Sequence, residues 1–101
     1  MNVLFICNQN KHRSKTAEHL FKDRFTTKSA GLYNAKPVCE TQMEWADTVI
    51  VMEDEQRYEL GKRFPAQYLK KRIISLNIQD VYCYNQKELI NILKRKVQQL
   101  L

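Results

Sequence analysis

Glycine and proline are scarce, at two each in 101 residues. Long flexible linkers and low-complexity stretches therefore have no material to form from, and no internal repeat is visible. Long apolar runs are also missing. Val3 to Cys7 is the longest, far short of the roughly 18 residues that a membrane span needs. No basic leader precedes it, so the expectation is a cytoplasmic protein with no secretory segment and no membrane association. Cysteine is limited to Cys7, Cys39 and Cys83, an odd and widely spaced set. With no Cys-x2-Cys or His-x3-His pair, zinc is not expected, and reduced thiols suit this set better than a disulfide framework. Negative charge is in the minority, with 11 acidic against 17 basic residues and a net charge of +6. The basic residues are dispersed and not interleaved with aromatics, which argues against nucleic acid as a partner. The excess can be a basic surface without function, or it can draw anionic substrates into a cleft.

What the chain does have is Val3-Leu4-Phe5-Ile6-Cys7-Asn8-Gln9-Asn10-Lys11-His12-Arg13-Ser14, which reads as strand, loop and helix start. Three cysteines and six arginines would yield some Cys-x5-Arg pair by chance roughly one time in six. Placement therefore carries more than spacing. The cysteine ends a buried apolar strand and the arginine comes just before an amphipathic helix. A loop in that position aims successive backbone N–H groups at one spot, at the positive end of the helix dipole. Such a nest holds a tetrahedral oxyanion and favours a thiolate over a thiol. The residues thus point to phosphate chemistry on a cysteine nucleophile. Arg13 offers a planar fork for two phosphoryl oxygens at once. Ser14 can donate to the thiolate, although a helix N-cap is its plain alternative, as a small buried hydrophobe is for Cys7.

The rest of the chain alternates strands with helices. Asn2–Ile6 reads as a strand buried on both faces, followed by a helix of about three turns from Ser14 through Ala17, Leu20, Phe21 and Phe25. Thr26–Ala30 reads as a second strand closed by Gly31, and Pro37 opens a short helix to about Trp45. Asp47–Met52 is a third strand. Asp54 is placed to cap a helix that Gly61 ends. Arg72–Leu76 is a fourth strand. Asn85 and Glu88 form a capping-box-like pair before a last helix with Leu89, Leu93, Val97 and Leu100 on one face. This alternation implies parallel βαβ units with right-handed crossovers, and ligands bind beyond the carboxyl ends of such strands. Cys7 leaves the first strand at that edge. Asp80 follows the fourth strand and is the best-placed candidate proton donor, ahead of Asp23, Asp47 and Asp54.

Taken together these residues resemble the low-molecular-weight protein tyrosine phosphatases, whose signature is Cys-x5-Arg-Ser after the first strand. Asn10 in the loop, Ala17-Glu18, Ser29-Ala30-Gly31 and Ala46-Asp47 before Val49-Ile50-Val51-Met52 add to the match. Asp80-Val81-Tyr82 looks like the family's Asp-Pro-Tyr acid loop. The similarity spans nearly the whole chain in order. It implies a single phosphatase-like domain over 1–101, a three-layer α/β/α fold of flavodoxin-like type, and a four-stranded parallel sheet of order 2-1-3-4. It also implies a phosphocysteine mechanism without cofactor or metal. Cys7 attacks phosphorus, Asp80 protonates the leaving group and then activates water, and Arg13 with the amides of Asn8, Gln9, Asn10, Lys11 and His12 holds the phosphoryl oxygens. Asn10 would take an unusual backbone conformation and be pinned by Ser29. Tyr33, Tyr82 and Tyr84 are candidate walls of a phosphotyrosine slot. The implied substrates are a phosphorylated protein or a small aryl phosphate, with inorganic phosphate as product.

The sequence departs from the family at Gln9, commonly glycine, at His12, often a second cysteine, and at Val81, which replaces proline. The stretch from Gly31 to Asp47, part of one cleft wall in the family, is short. These departures leave as an alternative an anion-binding module of weak catalytic power, and the shared fold and loop leave another, a thiol-dependent arsenate reductase with Cys39 and Cys83 as the candidate further cysteines.

Overall fold

The structure is a computed structural model that describes residues 1–100. The order of elements is β1 (Asn2–Cys7), α1 (Arg13–Leu20), β2 (Thr26–Gly31), α2 (Glu40–Trp45), β3 (Thr48–Val51), α3 (Asp54–Arg63), α4 (Pro65–Lys70), β4 (Arg72–Ser75) and α5 (Lys87–Leu100). The four strands form one parallel sheet in the order β2-β1-β3-β4, the expected topology. Both faces are covered, and the strand alternation shows how. Val3, Phe5 and Cys7 of β1, with Ile50 and Met52, meet Ala17 and Phe21 from the α1 side and Leu89, Leu93 and Val97 of α5. Leu4, Ile6, Val49 and Val51 point the other way, against Met43 of α2 and Leu60 of α3. Continuous apolar strands are what a sheet buried on both faces requires. Among the described residues no helix is long and apolar enough to cross a membrane.

Several boundaries differ from the sequence reading, each for a local reason. α1 stops at Leu20 after two turns, because Phe21 and Phe25 turn the chain back so that Thr26 can bond to the Met1 carbonyl at 3.1 Å. Phe25 still packs on Phe21, with ring centroids 6.4 Å apart. Pro37 lies outside α2. Buried Val38 bonds to the Gly31 carbonyl at 2.8 Å, which keeps that segment extended until Glu40. Glu53 rather than Asp54 precedes the first turn of α3, and α3 runs through Gly61 to Arg63. The bare face of Gly61 is covered by the Tyr68 ring, 3.4 Å from where a Cβ would stand. That ring belongs to α4, a helix the sequence reading passes over although Pro65 opens it. The Asn85–Glu88 pair does not form. Asn85 has φ 61° and gives its N–H to Thr16 Oγ1 at 2.8 Å, while Gln86 Nε2 donates to Glu88 at 3.0 Å. Leu100, expected on the buried stripe of α5, is exposed.

Candidate active site

β1 ends in the middle of the sheet, so the chain that leaves it emerges between two neighbouring strands and can turn across the carboxyl edge. Residues 8–12 make that turn and Arg13 begins α1. Asn10 takes the left-handed conformation at φ 53°, tolerable for asparagine and the means by which the loop reverses. Asn8 anchors it from two sides. Its carbonyl accepts from Leu32 and Tyr33 (3.0 and 2.8 Å), and its Oδ1 accepts from Gln56 Nε2 at 3.0 Å. Gly31 lies against the loop from below, where a Cβ would stand 3.0 Å from the Asn10 nitrogen and 2.6 Å from Asn34 Oδ1. Among the described residues, no backbone N–H from Asn8 to Arg13 donates to a protein acceptor. Successive backbone donors left without a protein acceptor around a buried thiol suit an anion.

Cys7, only 3% exposed, sits at the base of this loop, its Sγ 3.0 Å from Ser14 Oγ. Ser14 Oγ in turn donates to Asn10 Oδ1 at 2.8 Å. A hydroxyl has one proton, so the relay has two settings. With a thiol, Cys7 donates to Ser14 and Ser14 to Asn10. With a thiolate, which only accepts, the Ser14 proton turns to sulfur and the Asn10 amide turns to present Nδ2 to Ser14 Oγ.

Arg13 is 1% exposed despite its charge. Its Nη1 is occupied twice, by an ion pair with Glu53 and by the Ile78 carbonyl at 2.7 Å. Nε and Nη2 remain, forming one edge of the guanidinium fork. Asp80 Oδ1 lies 3.6 Å from Nε, an ion-pair contact too long for a hydrogen bond, and Asp80 is 59% exposed. Cys7, Gln9, Lys11, His12, Arg13 and Asp80 line one pocket of about 190 Å³. His12 Nδ1 accepts from the Tyr84 N–H at 3.0 Å, so a neutral His12 carries its proton on Nε2.

The tertiary structure thus brings Cys7, Ser14, Arg13, Asp80 and the 8–12 loop together. It does not bring Ser29 to Asn10: the Ser29 hydroxyl donates to Glu18 Oε1 at 2.6 Å, and Ser14 holds the Asn10 amide in its place. Nor do the three tyrosines wall this pocket. Tyr33 lies under the Arg63 guanidinium at 5.1 Å, Tyr82 packs on the α5 side of the core, and Tyr84 lines a neighbouring cleft. The sequence reading also misses Glu53 and Gln56. Gln56 Oε1 accepts from the Met52 and Glu53 N–H groups (2.8 and 3.0 Å) while its Nε2 holds Asn8. Their available signal is position, at the carboxyl end of the third strand with capping-box spacing. Among the described residues no three His, Cys, Asp or Glu side chains converge as a metal site would need.

The sequence matches no protein-family model and no curated protein. Solved structures share its fold. One is SP-PTP, a low molecular weight protein tyrosine phosphatase from Streptococcus pyogenes, with TM-score 0.80 and 18% identity over 99% of this chain and 90% of that one. Another is the low molecular weight protein tyrosine phosphatase from T. tengcongensis, with TM-score 0.78 and 20% identity over 100% of this chain and 99% of that one. A third is the YwlE arginine phosphatase from Geobacillus stearothermophilus, with TM-score 0.75 and 19% identity over 98% of this chain and 92% of that one. The fold is that of the low-molecular-weight protein tyrosine phosphatases.

Proposed function

We propose that this chain, built on that fold, is a metal-independent cysteine phosphatase: a phosphomonoester hydrolase of the protein tyrosine phosphatase kind, cytoplasmic, with residues 1–101 as one catalytic domain. The observation that carries the reading is the joint placement of Cys7 Sγ under a loop of unengaged amides, 3.0 Å from Ser14 Oγ, with buried Arg13 and Asp80 in the same pocket.

The chemistry follows from that placement. A phosphate monoester enters with its equatorial oxygens on the Asn8–Arg13 amides and on the free Nε and Nη2 edge of Arg13. A phosphoryl oxygen makes a shorter contact with Nε than the 3.6 Å of Asp80, and so displaces the carboxyl toward the leaving group. The Cys7 thiolate attacks phosphorus in line, the P–O bond to the leaving group breaks, and Asp80 in its acid form gives that oxygen a proton. In the second step the Asp80 carboxylate takes a proton from water, whose oxygen attacks phosphorus. The P–S bond breaks, phosphate departs, and the Ser14 hydroxyl receives the returning thiolate charge. Because aromatic side chains do not line the pocket, recognition there falls on the phosphoryl group. The proposed substrate is a phosphorylated protein, with small aryl phosphates as surrogates and inorganic phosphate as product.

Hydrolysis of p-nitrophenyl phosphate by wild type and Cys7→Ser, between about pH 5 and 8 without added metal, tests this. Turnover that disappears in Cys7→Ser is the expected result. A wild type that binds phosphate but turns nothing over would leave an anion-binding module instead.

A further inference from the structure

Beyond the partition made by His12 and Tyr84 lies a second cleft of about 350 Å³, lined by Lys15, Glu18, His19, Lys22, Thr27 and Tyr84. The two hollows share that partition: His12 lines the Cys7 pocket, Tyr84 lines the cleft, and the Tyr84 N–H bonds to the His12 ring. Lys15, Glu18 and His19 of α1 recur at i, i+3 and i+4 and Lys22 follows in the turn after the helix, together forming one outward stripe, while Ala17 and Phe21 pack into the core.

The stripe is cationic on balance, with Lys15 and Lys22 against Glu18. Lys62, Lys71 and Arg63 have carboxylate partners within 4.0 Å, but among the described residues Lys15, His19 and Lys22 have none. Its one carboxylate, Glu18, is turned toward the Ser29 hydroxyl, which donates to Oε1 at 2.6 Å, and keeps its charge. Lys11, on the rim of the Cys7 pocket, continues the same sign of charge. The far wall comes from Thr27 on β2, the outer strand of the sheet, so the cleft opens along a free strand edge. Two lysines without a carboxylate partner among the described residues, Lys15 and Lys22, therefore stand in a groove directly beside the candidate site, with Lys11 on the adjoining rim.

We infer that this cleft is a specificity subsite that takes the acidic residues flanking the phosphorylated residue of a polypeptide substrate. Carboxylate side chains next to a phosphoryl group held over Cys7 would enter it over the Tyr84–His12 partition and meet Lys15 and Lys22. The inference deepens the phosphatase reading and rests on it for the phosphoryl end of the ligand. A field of this kind chiefly raises capture of the matching partner, and salt weakens it.

Binding of two phosphotyrosyl peptides to full-length Cys7→Ser protein, one with Asp and Glu flanks and one with Ser and Ala flanks, tests it by fluorescence anisotropy. The acidic peptide is expected to bind about tenfold tighter, equivalent to ~1.4 kcal/mol, and the gap to shrink at raised ionic strength. Adding Lys15→Ala and Lys22→Ala should bring the two within about twofold, whereas Lys15→Arg with Lys22→Arg should keep the preference. Equal binding of both peptides, or a preference that survives the alanine pair, would overturn the subsite. So would a single-stranded oligonucleotide that competes better than the acidic peptide. In an otherwise wild-type background the alanine pair should leave p-nitrophenyl phosphate turnover unchanged. Loss of that turnover in both proteins would defeat the phosphatase reading alone, because the binding comparison needs no catalysis.

Discussion

Arg13 is the side chain on which the pocket turns, and its burial explains why two acidic residues surround it. A guanidinium at 1% exposure needs compensation, and Glu53 with the Ile78 carbonyl takes Nη1 so that the opposite edge faces the pocket. Glu53→Gln keeps the shape but weakens the pair, and the fork loses its fixed orientation. We expect kcat/KM for p-nitrophenyl phosphate to fall about 10- to 100-fold, with phosphate affinity falling alongside, since small misplacements of a clamp are expensive. An unchanged phosphate Kd would show that Glu53 does not hold the fork. Asp80 has the contrasting environment. It is largely exposed and touches Arg13 only at 3.6 Å, which leaves it free to swing. Asp80→Asn should slow aryl phosphate hydrolysis by roughly 10²–10⁴ while phosphate binding is retained. A twofold change or less would remove it as the acid.

Among the elements, the β3–α3 junction and the start of α5 do most to hold the site together. Gln56 spans from the Met52 and Glu53 amides to Asn8, so the turn that begins α3 also fixes the loop after β1. At α5, the loop ahead of the helix is tied to α1 through Tyr84–His12 and Asn85–Thr16. Glu88 lies in the first turn of α5. Its own backbone N–H, then the Gln86 side chain, hold its carboxyl below the ordinary value of 4.5. A lowered carboxyl stabilises the fold above its unfolded pKa, and that contribution is lost as pH falls through the folded one. Glu88→Gln should therefore lower the urea midpoint at neutral pH, and the gap should close only as pH falls through the lowered pKa of the folded-state carboxyl. A gap that persists in acid would mean that the charge of Glu88 is not what matters. The expected Asn85–Glu88 cap failed because Asn85 is drawn toward Thr16, a residue 69 positions away.

For the molecule as a whole, the three layers close around a nest whose donors have no protein acceptor, so an oxyanion should stabilise the folded state. Saturating phosphate at about 100 times its Kd adds ~2.7 kcal/mol by linkage, a rise in Tm on the order of 10 °C for a domain of this size. Arg13→Ala should abolish the rise, and no shift in wild type at saturation would mean that the nest does not form. The same architecture separates what could be read along the chain from what could not. Runs such as Val3–Cys7 and Val49–Met52 are apolar on both alternating faces, as a parallel sheet covered on both sides requires, so the buried strands and their alternation with helices were legible, whereas the strand order came from the family resemblance. Cys7, Arg13 and Ser14 were legible too, because a strand, a loop and a helix start are contiguous and their geometry is local. The short helix α4 and the true end of α3 were not, since the Tyr68 ring that covers Gly61 comes from a later element. Nor were Glu53 with Arg13, Gln56 with Asn8, or the departure of the three tyrosines from the pocket. Those pairings join residues 40 or more positions apart, and no periodicity records which loops meet at a sheet edge. Local chemistry set the candidate nucleophile and its cradle, and the folding of distant loops onto one edge chose the groups that surround them.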